Sequence, residues 1–114
     1  MKIYLDTSSI NRVFDDQSQP RIFLESSAMI AILAMVENKS FSLVSSEVLL
    51  FENSRNPFEE RCVFVSSVLA QAKIVQTINP ALLNRARQIE SVDGISGLDA
   101  LHLACAEKLR CEFS

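Results

Sequence analysis

Apolar positions in this chain alternate between short unbroken runs and longer stretches with helical spacing. Lys2–Leu5, Phe41–Val44 and Lys73–Thr77 are short runs without a 3.6-residue period, the pattern of strands buried in a parallel sheet. Between the first two runs, Ile22, Met29, Ile32, Leu33 and Val36 recur on one side of a helix predicted over residues 21–36. A short helix is expected from Ser8 or Ser9, as its cap, to about Phe14, and the polar, proline-containing segment 15–20 is a loop. Ser45 or Ser46 opens a helix that Asn56-Pro57 breaks, and another follows from Phe58 to about Ala72. Pro80, at a favourable first-turn position, begins a helix that ends near Val92 before an Asp93-Gly94 turn. Ser96 caps a last helix to about Arg110, and Glu112–Ser114 starts a fourth strand.

Strands alternating with helices predict an α/β fold with a parallel sheet covered on its faces, and ligands gathering at the carboxyl ends of the strands. With 114 residues the chain forms one domain, 1–114, around one core. No repeat, linker, leader or membrane span interrupts it, and a cytoplasmic protein is expected. Cys62, Cys105 and Cys111 form no close pair, so Cys105, in an apolar helix, is expected as a buried thiol. A net charge of −3 without a Lys/Arg run argues against binding nucleic acid by bulk charge. Arg55, Arg61, Arg85 and Arg87 are scattered and read no better than solvated charges. The only histidine, His102, has no partner at zinc-site spacing and reads as a packed or hydrogen-bonded residue.

Three carboxylates break this apolar pattern. Asp6 ends the first strand, Glu52 lies three residues after Leu49 and four after Val48 on an apolar helix face, and Asp99 opens the last helix. Each has an ordinary role: Asp6 as a helix cap, Glu52 as a boundary residue reaching water, Asp99 in a Ser96-x-x-Asp99 capping arrangement. Glu47, in a first turn, reads as a helix-dipole partner. Burying ionised carboxylates costs several kcal/mol unless compensated, and one divalent cation would compensate all three. A haloacid-dehalogenase-type phosphatase would need an acid where Ser8 stands.

The stretches YLDTSSINR, LVSSEVLLFEN and GISGLDALHLACAEKL together resemble the PIN domain, the nuclease fold of VapC-type toxins, over almost the whole chain. The resemblance implies a three-layer α/β/α sandwich with an acidic pocket for Mg²⁺ or Mn²⁺. Its acids would be Asp6, Glu52 and Asp99, all three metal-holding and catalytic. Thr7 or Ser8 would be the hydroxyl after the first acid, and Asn11 and Arg12 a polar pair near phosphate. It further implies an RNA substrate, a small antitoxin partner and self-association. For the last, the helix over residues 21–36 is either an interface or plain core. Many family members carry a fourth acid and a final helix beyond the point where this chain stops. The alternatives are therefore a catalytically degenerate PIN domain that binds a partner and, more distantly, a small phosphatase or receiver-like domain.

Overall fold

The computed structural model describes residues 1–95, 97–110 and 112–113. Four strands, β1 (Lys2–Tyr4), β2 (Ser42–Ser46), β3 (Ile74–Gln76) and β4 (Glu112–Phe113), form one sheet in the order β3-β2-β1-β4. All neighbours are parallel, in the registers Tyr4↔Val44, Tyr4↔Phe113 and Val44↔Ile74. The helices are α1 (Thr7–Ile10), α2 (Pro20–Glu37), α3 (Glu47–Ser54), α4 (Glu59–Leu69), α5 (Pro80–Asp93) and α6 (Gly97–Leu109).

This order fixes the layers. From β1 the chain steps to β2 and on to β3 in one direction, then returns across the sheet to β4. Right-handed crossovers put helices from the two directions on opposite faces. The resulting α/β/α sandwich is the architecture expected from the sequence. The chain reverses between β1 and β4, so β1 delivers Asp6 to the crevice where open α/β sheets collect ligands.

Element boundaries follow local chemistry. The cap of α1 is Asp6, not Ser8 or Ser9: its side chain accepts from the Ser8 N–H, because an Asp at the strand end already has the extended backbone a cap needs. That helix lasts one turn before a 3-10 segment, Asn11–Phe14, completes the predicted span. Strand β2 runs two residues beyond the expected Val44, since Ser45 and Ser46 pair with Val75 and Gln76. Ser46 caps α3 by accepting from Leu49 N at 3.2 Å. Asn79 caps α5 through Leu82 N, Pro80 is its first residue, and Gly94 ends it at φ 69°, a left-handed value that suits glycine. The cap assigned to Ser96 lies outside the described residues.

The core joins Tyr4 and Leu5 of the first strand region to Val44, Leu49, Val65, Leu82, Ala100 and Cys105. On α2, Met29 is 4% exposed and Ile32 packs against this core, whereas Phe23, Leu24 and Ile30 face solvent. A charge at Met29 therefore tests packing rather than association. Met29→Glu should cost roughly 3 kcal/mol or more and lower the melting temperature sharply. Leu24→Glu should stay within about 0.5 kcal/mol of the parent.

Candidate metal centre

Asp6, Glu52 and His102 converge at the carboxyl end of the sheet, their ligating atoms all within 4.8 Å of one another. Each is brought there by a different element. Asp6 follows β1 and is held by the Ser8 N–H at 3.3 Å. Glu52 sits in α3, whose start is fixed by the Ser46 cap. His102 lies one turn into α6, with 1% of its side chain exposed.

A buried line of hydrogen bonds supports the glutamate. Tyr4, inaccessible to solvent, places its hydroxyl 2.7 Å from Ser46 Oγ and 2.7 Å from His102 Nδ1. The other imidazole nitrogen, Nε2, contacts Glu52 Oε1. One proton assignment satisfies this line throughout. Ser46 donates to Tyr4, Tyr4 donates to Nδ1, and Nε2–H donates to the Glu52 carboxylate. The helix cap, the strand and the site are thus one hydrogen-bonded unit.

Burial drives the Tyr4 hydroxyl well above its ordinary range and also raises the Cys105 thiol, which lies against Ser46 and Tyr4. The unfolded chain therefore ionises these groups first. Their contribution is complete below the unfolded values, near pH 8.5 for Cys and 10 for Tyr, and is lost as pH rises beyond them. Melting temperature should fall on the alkaline side, and Tyr4→Phe should flatten the part of that fall above about pH 10.

The remaining candidates are placed as follows. Asp99 is in the first turn of α6, exposed, and outside the three-residue group. Thr7, Ser8 and Asn11 line a cleft that shares Glu52 with the site. Arg12 is engaged: its guanidinium pairs with Glu25 at 2.8 Å and Asp15 at 3.1 Å, tying the 3-10 segment to α2. Arg61 is likewise held by Asp15, and Arg85 by Glu107. Glu47 accepts from the Ile78 N–H at 2.8 Å, a bond its dipole reading did not include.

Sequence reasoning undervalued His102, Tyr4 and Ser46. His102 is indeed hydrogen-bonded, and its second nitrogen also reaches the acidic pair. The available signal was Tyr4 itself, because a tyrosine in a fully buried strand needs a partner for its hydroxyl.

The donor set fits a divalent cation: two carboxylates supply hard oxygens suited to Mg²⁺ or Mn²⁺, and the imidazole, with both nitrogens hydrogen-bonded, orients Glu52. A profile of the PIN domain family matches residues 3–113. The chain belongs to the PIN domain family. No curated protein matches it by sequence. Among solved structures it is similar to a chain in the crystal structure of VapBC2 from Rickettsia felis bound to a DNA fragment from their promoter. The TM-score is 0.59 at 13% identity, covering 99% of this chain and 85% of that one. At that identity the likeness is one of fold.

Proposed function

We propose that this protein is a metal-dependent endoribonuclease of the VapC toxin type that hydrolyses RNA phosphodiester bonds with Mg²⁺ or Mn²⁺. The carrying observation is the convergence of Asp6 and Glu52 at the strand ends, with His102 bonded to Glu52. Asp99 is the third acid of the proposal; it stands three residues before His102, on the same side of α6. A cation bound here would polarise a phosphoryl oxygen and make its water a better nucleophile. The protein's part is to hold the carboxylates still: Ser8 N–H fixes Asp6 and the Tyr4–His102 line fixes Glu52.

The setting we infer is cytoplasmic, with a small basic antitoxin covering the acidic site. Net charge of −3 suits such a partner, and the described residues include no helix long and apolar enough to cross a membrane. Phe23, Leu24 and Ile30 on α2 offer a surface for self-association. The position of Asp99 outside the group favours a second reading, a degenerate PIN domain that binds a partner without turnover.

Calorimetric titration with Mn²⁺ and Mg²⁺, paired with an RNA cleavage assay, separates the two. Binding that weakens at least tenfold in Asp99→Asn, with metal-stimulated cleavage by the parent, supports the nuclease and its third acid. No metal binding by the parent protein would leave the binding module.

A further inference from the structure

A cleft of about 520 Å³ opens beside the candidate metal centre, and Glu52 and Thr7 belong to its wall. We propose that it is a nucleobase subsite, holding one unstacked base of single-stranded RNA next to the phosphate at the acidic pair. The inference rests on the nuclease reading and names where its substrate is gripped.

Three features of the wall carry it. Phe51 is 53% exposed at the cleft although it sits on a helix with ample buried apolar neighbours. A flat aromatic ring left at the edge of a phosphate-handling site is a stacking platform for a base. The Arg55 guanidinium lies over this ring, 5.6 Å from its centroid, so a base would stack on the opposite face. Among the described residues Arg55 pairs with no carboxylate, whereas Arg12, Arg61 and Arg85 are each held by one. Arg55 thus brings a positive charge not neutralised by a carboxylate to a wall whose acid is Glu52, where a nucleotide's backbone would need it.

The third feature is the set of carboxamides. Asn53, 5% exposed, donates to Cys62 O at 3.1 Å and Ser66 Oγ at 2.9 Å, yet its own Oδ1 accepts nothing. Asn11 Oδ1 is also enclosed without a partner. Enclosed polar atoms of this kind are rare in folded proteins. Asn56 is used oppositely, its Oδ1 accepting from Phe58 N at 3.0 Å. Both Oδ1 atoms are sealed from solvent as they stand, so a base would reach them only after a side-chain turn. Three carboxamides around an aromatic ring nonetheless give the wall a mixed polar character that suits a nucleobase better than an apolar peptide side chain.

The test needs no turnover. Nucleoside 5′-monophosphates, with inorganic phosphate as control, are titrated into isotope-labelled protein, following the side-chain amide resonances of Asn11, Asn53 and Asn56 and the backbone of Phe51 and Arg55. The proposal expects shifts from at least one nucleotide and not from phosphate. Affinity should fall about tenfold in Phe51→Ala and recover in Phe51→Tyr, with Mn²⁺ affinity unchanged. Equal shifts from phosphate alone, or wild-type nucleotide affinity in Phe51→Ala, overturn it. Cleavage of RNA is scored separately. Phe51-dependent binding without cleavage keeps the subsite and removes the nuclease, and cleavage without it does the reverse.

Discussion

Asp6→Asn should eliminate metal-stimulated RNA cleavage, by about 10³-fold or more, while leaving the protein folded. On the proposed mechanism Asp6 is one charged ligand of a cation that contributes several kcal/mol, and the magnitude follows at about 1.36 kcal/mol per tenfold in rate. The folded state is spared because Asp6 has two separable jobs. As the cap of α1 it accepts from Ser8 N, and asparagine caps a helix about as well as aspartate. As part of the acidic group it supplies charge, which asparagine does not. Asp6→Ala removes both, so it should lose the same activity and about 1 kcal/mol of stability besides. Melting curves of the three proteins beside Mn²⁺-dependent cleavage of a labelled RNA make the comparison. Cleavage by Asp6→Asn at the parent rate would remove Asp6 from the chemistry.

The sequence announced the parts of this architecture that rest on local rules. Short apolar runs became strands, Pro80 and Gly94 bounded α5, and Ser46 capped α3. Asp6 and Glu52 stood out because a charge on an apolar strand end or helix face needs a reason, and they do come together. What stayed hidden depends on distant pairings. Tyr4 and His102 are 98 residues apart, and only the β1–α6 packing makes them partners. Spacing could not tell whether Asp99, three residues before His102, turns into the group or out to solvent, because that depends on how α6 is rotated against α3. Nor could it show that Arg12 is spent on Glu25 and Asp15. The boundary shift in β2 has the same origin: Ser45 and Ser46 have weak strand preference, and pairing with β3 overrides it.

His102→Leu should weaken Mn²⁺ binding by roughly 10- to 100-fold, the usual effect of losing a side chain that orients or joins a metal's carboxylates. It should also destabilise the fold by about 1–3 kcal/mol, because the Tyr4 hydroxyl, sealed from solvent, loses its bond to Nδ1. Glu52 suffers less in the free protein, since a quarter of its side chain reaches water. The informative companion is His102→Gln. A glutamine amide can donate to the Glu52 carboxylate from nearly the position of Nε2 but is a poor substitute for an imidazole ligand. If His102 acts by holding Glu52, as the line from Ser46 through Tyr4 implies, His102→Gln keeps metal affinity within about threefold of the parent while His102→Leu loses it. Tyr4→Phe should then fall between them, because the imidazole keeps its place by packing but loses the bond that fixes its tautomer. If the imidazole is itself a ligand, Gln and Leu fall together. In that case the centre is a mixed carboxylate–imidazole site, better suited to Mn²⁺ than to Mg²⁺. Calorimetry with both ions on the four proteins decides which of the two centres this fold has built.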